Sequence, residues 1–142
     1  MGIFKRLFSR EEKVKTPQAS VDTIHPTQFR KEEFSFEAFH DISVAQAAEK
    51  VASGEVQVLD VRFEYEYRDH HIPEATLIPL PKLPSHFEKL DPAKPTLVVC
   101  EHGMRSIQAC SFLSARGFKT LYNMVGGMSV YPGKQEGMGI QG

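Results

Sequence analysis

The sequence predicts an α/β fold built on an open, largely parallel sheet, and three observations carry that prediction. Short β-branched apolar runs alternate with amphipathic helical patterns along the chain. The strand and helix patterns repeat as successive units, an order that predicts a largely parallel sheet. The 142 residues suffice for one domain with its own core and are too few for two ordinary ones.

The elements follow in order. Residues 1–35 read as an extension, because Thr16-Pro17-Gln18-Ala19-Ser20 and His25-Pro26-Thr27 are polar and broken by proline. The domain is assigned to 36–132, where the texture changes around Phe34-Ser35-Phe36, and 133–142 is read as a flexible C-terminal tail. Within 42–51, Val44, Ala47, Ala48 and Val51 share one helical face, with Ser43 a candidate cap and Gly54 just past the end. Val56-Gln57-Val58-Leu59-Asp60-Val61 is a buried strand ending at an acid. A short helix is expected over 63–69, and a brief strand at Ala75-Thr76-Leu77-Ile78 is stopped by Pro79. Residues 83–90 suggest another helix, closed by Asp91-Pro92. Thr96-Leu97-Val98-Val99-Cys100 is the clearest strand, followed by a tight loop and a helix over 105–116 with Ile107, Ala109, Cys110, Phe112 and Leu113 inward. Thr120-Leu121-Tyr122-Asn123-Met124 is a last strand before Gly126-Gly127.

Composition excludes several classes. Seventeen bases against eighteen acids leave a net charge of −1, and no Lys/Arg run tracks a phosphate backbone, so nucleic acid is not an expected partner. Two cysteines make no disulfide framework, and several residues of helix at about 1.5 Å rise each would separate Cys100 from Cys110. A reducing, cytoplasmic setting fits that usage. No run of about 18 apolar residues exists. Gly2-Ile3-Phe4-Lys5-Arg6-Leu7-Phe8 mixes bulky apolar residues with bases but is too short for a secretory core, and Arg6 breaks a myristoylation pattern. A frayed basic tail is the preferred reading there, with a short helix making peripheral contact with an anionic membrane as the alternative.

The chemistry gathers at Cys100-Glu101-His102-Gly103-Met104-Arg105-Ser106, a strand–loop–helix turn at the carboxyl edge of the predicted sheet, where ligands bind in such folds. Inward N–H groups of the loop, the unsatisfied N–H groups of the following helix, and the permanent charge of Arg105 would all favour thiolate over thiol. The same groups would hold the anionic outer sulfur of a persulfide in a shallow mouth. His102 invites a Cys/His reading, yet no Cys/His cluster completes a zinc site; proton donation to an acceptor is its remaining role. His70 and His71 are adjacent and so point apart, and His71 is assigned a structural hydrogen bond. No metal and no cofactor are expected. Cys110 is read as core, and Gly126-Gly127 as a tight turn near the site.

The Cys-x-x-Gly-x-Arg-Ser loop after an apolar strand resembles the active-site loop of rhodanese-family sulfurtransferases. Asp60-Val61-Arg62 with Glu66-Tyr67 resembles the family's first motif, and His71-Ile72-Pro73 with Ala75 its second, followed by Leu77-Ile78-Pro79-Leu80. Tyr122-Asn123 and Gly126-Gly127-Met128 resemble its closing motif. The likeness spans roughly 42–131. It implies a rhodanese-like open, mostly parallel five-stranded sheet flanked by helices on both faces, in a single domain. It further implies that Cys100 and Arg105 are catalytic, that Glu101, His102, Gly103, Met104 and Ser106 form the substrate-binding loop, and that Asp60, Arg62 and Glu66 support it. Arg62 and Glu66 stand at i,i+4 spacing. The implied activity moves sulfane sulfur from thiosulfate or a persulfide donor to a thiol or cyanide acceptor, with a protein donor or acceptor as a further partner.

Loop length separates sulfur from phosphorus. Phosphatases of the same fold carry Arg six positions after Cys, whereas Arg105 comes five after Cys100 and the sixth is Ser106. Several residues depart from the family pattern. Glu101 brings a carboxylate beside the sulfur, either into the mouth, outward, or paired with Arg105 or Arg116. His70 and Glu74 replace common glycines, and Tyr131 stands where Trp often follows. These departures keep open a second reading, a non-catalytic rhodanese-fold module that docks partners through the same loop.

Overall fold

The computed structural model of the protein describes residues 38–140; the expectations for the N-terminal extension lie outside them. Five strands form one sheet: β1 (His40–Ile42), β2 (Gln57–Asp60), β3 (Thr76–Leu77), β4 (Thr96–Val99) and β5 (Leu121–Met124). Their order is β1-β5-β4-β2-β3, and every pairing is parallel. The helices are α1 (Val44–Ala52), α2 (Glu64–Asp69), α3 (Leu83–His86) and α4 (Arg105–Ser114). The helix expected over 83–90 is therefore only α3, continued by a 3-10 turn at Phe87–Lys89.

The edge strand β1 and the cap at Ser43 together fix where the first helix starts. Ile42, inside the stretch 42–51 that reads as helical, ends β1, opposite Met124 of β5. Ser43 is the true boundary. Its hydroxyl accepts from Gln46 N–H at 3.0 Å, and Gln46 Oε1 accepts from Ser43 N–H at 2.9 Å. That reciprocal cap satisfies two N–H groups that the helix itself leaves unpaired, so α1 starts at Val44.

Alternation along the strands divides the core. Val98 and Cys100 face Ala109, Cys110 and Leu113 of α4, together with Leu59, Val61 and Leu121. Leu97 and Val99 face the other way, toward Ala47 of α1, Ile72, Met124 and Met128. Full burial of each such Val or Leu contributes about 1.5–3 kcal/mol. With both sheet faces covered, β4 has no polar residue except at its first position, Thr96, which is also buried. The sheet's centre is thus packed on both faces where Cys100 leaves it. The segment read as a flexible tail runs along α2: Met138 N–H donates to Arg68 C=O and Gly139 N–H to Asp69 C=O, both at 2.8 Å.

Candidate active site

Cys100 is the first residue past β4, and after four intervening residues the chain enters α4 at Arg105. The loop between is held from behind by the turn that follows β5. Met128 N–H donates to Cys100 C=O at 2.8 Å, and Ser129 N–H to Glu101 C=O at 3.0 Å. That approach needs Gly127, whose φ is +75°: a Cβ there would lie 2.3 Å from Glu101 O and 2.6 Å from His102 N. With the carbonyls of Cys100 and Glu101 tied outward, N–H groups are left to face the sulfur.

Two of them do. Gly103 N–H donates to Cys100 Sγ at 3.1 Å and Ser106 N–H at 3.3 Å. The Ser106 N–H is one that the first turn of α4 cannot pair, so the cradle uses a donor the helix leaves free. Ser106 Oγ lies 3.3 Å from the same sulfur. Openness is where expectation fails. Cys100 keeps only 1% of its surface, so the shallow mouth is in fact a closed cradle beneath the loop. His102 and Met104 are the loop's exposed residues, and Met104 is 69% exposed. Gly103 and Ser106 are buried.

The charges around the loop are paired, in an arrangement the sequence spacing did not indicate. Arg105 meets Glu66 in a two-pronged bond, Nη1 to Oε1 and Nη2 to Oε2, each 2.9 Å. Glu66 Oε1 also accepts from Phe63 N–H at 2.9 Å, so one carboxylate caps α2 and anchors Arg105. The hydrogen bond from Arg105 holds the Glu66 carboxyl below its usual range, and Glu66 in turn raises the guanidinium. Arg62, fully buried, does not pair with Glu66 despite the i,i+4 spacing. It binds Asp60 through Nε and Nη2, Glu101 Oε1 through Nη1 at 2.9 Å, and His70 C=O through Nη2. Burial pulls its proton affinity down, and the bonds and charges of Asp60 and Glu101 more than reverse that. Glu101 thus takes neither expected partner, Arg105 or Arg116; Arg116 lies instead over the Phe112 ring at 3.7 Å.

The site brings together Asp60, Arg62, Glu66, Cys100, Glu101, Gly103, Arg105 and Ser106. His71 bonds Tyr67 C=O through Nδ1 at 2.6 Å and Glu136 through Nε2 at 3.1 Å, with its ring stacked on Tyr67. Burial pushes the Cys110 thiol far up, with Asp41 and Cys100 adding to the effect, which disfavours the thiolate that a nucleophile needs. Among the described residues no three His, Cys, Asp or Glu side chains form a metal-holding group, and no helix is long and apolar enough to cross a membrane. Two polar residues at the site were given no role by the sequence. Ser106 Oγ donates to Asn123 Oδ1, and Asn123 Nδ2 donates to Asp41 Oδ1 at 3.0 Å. Only the pairing of β1 with β5 could reveal that link.

Comparison with known proteins gives a consistent picture. A family profile described as "Rhodanese-like domain" matches residues 43–133. The putative sulfurtransferase YtwF of Bacillus subtilis is 38% identical over 95 residues, covering 66% of this chain and 91% of the relative. The thiosulfate sulfurtransferase GlpE of Coxiella burnetii is 34% identical over 93 residues, covering 66% of this chain and 87% of its own length. The crystal structure of a rhodanese-like domain protein from Staphylococcus aureus superposes with a TM-score of 0.63 at 28% identity, over 69% of this chain and 97% of the other.

Proposed function

The chain belongs to the rhodanese-like domain family, with relatives named as sulfurtransferases, and from that premise we propose that it carries sulfane sulfur as a persulfide on Cys100. The observation that carries this reading is the pair of N–H groups, from Gly103 and Ser106, aimed at one sulfur atom. Donors fixed in place stabilise negative charge on sulfur without reorganising, which serves both thiolate and persulfide.

Loading follows from nucleophilic attack. With thiosulfate, the Cys100 thiolate attacks the outer sulfur, the new S–S bond forms, the bond to the sulfonate sulfur breaks, and sulfite leaves with the electron pair. A thiolate or cyanide then attacks the terminal sulfur, and the Cys100 thiolate leaves. A persulfide donor, small or protein-borne, loads the same atom with a thiolate as leaving group. Gly103 and Ser106 would hold the sulfur, with Glu101, His102 and Met104 completing the loop. Arg105 would orient the incoming anion from its Glu66 clamp, and Asp60 with Arg62 would brace the loop from below. Because Cys100 is so enclosed, loading would require displacement of the loop's outer residues. A cytoplasmic setting, where thiols stay reduced, suits two free cysteines.

The enclosure of Cys100 also favours the second reading, a binding module that never exposes its sulfur. Intact-mass measurement after incubation with thiosulfate or glutathione persulfide separates the two. A gain of about 32 Da, absent in Cys100→Ser, supports transfer. A folded protein that takes up no sulfur from either donor leaves only the module.

A further inference from the structure

We propose that Asp41 and Asn123 are positioning residues that set, through Ser106, whether the Cys100 sulfur faces a lone pair or a proton. The inference rests on Cys100 being the sulfur carrier. It starts from strand register: Asp41 of β1 and Asn123 of β5 are directly paired, so their side chains leave the sheet on the same face. That face is the one covered by α4, which supplies Ser106 one residue inside its first turn. The result is an unbroken chain from sulfur to Ser106 to Asn123 to Asp41, ending at an exposed carboxylate.

The direction of each bond is forced. An ionised carboxylate only accepts, so Asn123 must turn its NH2 to Asp41 and its Oδ1 to Ser106. Ser106 then spends its single hydroxyl proton on Oδ1, and the atom it presents to sulfur is an oxygen with lone pairs. A lone pair suits S–H. The N–H groups of Gly103 and Ser106 on the same sulfur suit a negative charge. When the sulfur turns anionic the hydroxyl has to swing toward it, and Asn123 Oδ1, in a side chain left with 2% exposure, loses its donor. Asp41 therefore opposes the charged form through a hydrogen-bond chain, and neutralising it frees the Asn123 amide to turn over and release the hydroxyl to the sulfur.

Other groups act on this sulfur and are held elsewhere. Arg105 of α4 feels it directly but is clamped by Glu66 of α2. Cys110, a turn beyond Ser106, feels both Cys100 and Asp41. Glu101 in the loop and Asp60 at the end of β2 are bound by Arg62. Among the described residues, only Asp41 reaches the sulfur through hydrogen bonds by way of Asn123.

The test is the pH profile of iodoacetamide alkylation at Cys100 in sulfur-free protein, resolved from Cys110 by peptide mass. Asp41→Asn is expected to move the midpoint down by about one unit, roughly tenfold faster alkylation on the acid limb. In a Ser106→Ala background the same substitution should produce no shift, since the chain is already cut. An unmoved midpoint in Asp41→Asn, or an equal shift in both backgrounds, overturns the proposal; the latter would mean that charge acts through space. If Ser106→Ala does not fold, an Asn123→Ala background takes its place, since it cuts the same chain between Ser106 and Asp41, and the same two outcomes decide. Wild-type sulfur uptake is measured separately, so failure of the sulfur-carrier reading shows as no mass gain and is distinct from failure here.

Discussion

Gly127→Ala is expected to damage the sulfur cradle from outside it. The new methyl would sit 2.3 Å from Glu101 O and 2.4 Å from its carbonyl carbon, more than about 1 Å short of ordinary contact. Both neighbours are backbone, so no side chain can rotate away. A φ of +75° with ψ of −170° is a region essentially confined to glycine and adds about 1–3 kcal/mol for any residue with a Cβ, and overpacking adds about 1–3 kcal/mol, so about 2–6 kcal/mol of stability should be lost in urea denaturation. The chain that moves is the one carrying the N–H donors, and about 1 Å of misplacement costs roughly a hundredfold in a catalytic step. Sulfur uptake on Cys100, followed by quenched intact mass, should slow about ten- to a hundredfold. Gly126→Ala is the control: its φ of +92° brings a similar backbone penalty, but its nearest clash is the Val130 side chain at 2.9 Å, which can yield. Uptake should therefore survive in that variant. Equal uptake in wild type and Gly127→Ala would refute the claim that this contact shapes the loop.

Two further outcomes follow from the ion pairs. Arg62→Met leaves Asp60 buried without its partner and should cost about 3–5 kcal/mol in chemical denaturation, part of it recovered by adding Asp60→Asn. Glu66 is held below its ordinary 4.5 by Arg105, so its contribution to stability is fully present above that value and is lost as pH falls through the lowered folded-state value. Thermal unfolding between pH 6 and pH 3 should accordingly fall less steeply in Glu66→Gln than in wild type.

How far the site could be read from the sequence depended on whether local chain order created the feature. The loop from Cys100 to Ser106 is contiguous, and its N–H groups point inward because a strand, a glycine turn and a helix start follow in seven residues. The central strand β4 was visible because both of its faces are buried. By contrast β1 is three residues long at the sheet's edge, too short for its alternation to show, and Ser43 alone carried a signal. Partner choice was not legible for the charges. Arg62 and Glu66 have helical spacing, yet α2 begins only at Glu64, which leaves Arg62 outside the helix and aims it at Asp60 and Glu101. Nor could Asp41 be found, since 82 residues separate it from Asn123 and only the sheet register joins them.

The pairing of these charges bears on which donor the protein can attract. Arg62 and Arg105 bring two positive charges to the loop, and Asp60, Glu66 and Glu101 bring three negative ones, each in contact with an arginine. Seen from beyond a Debye length of about 8 Å, such a site offers a dianion almost no attraction. Thiosulfate loading should then change by less than about twofold between 25 and 250 mM ionic strength, unlike steered association, which falls steeply. Glu66→Gln removes one carboxylate, which takes the site's net charge from −1 to 0, and loosens Arg105, so loading should become faster, most of all at low salt. Stopped-flow measurement of sulfite release reads both. A wild-type rate that drops severalfold with salt would mean that Arg105 acts as an unscreened charge, and that its bond to Glu66 opens before the donor arrives.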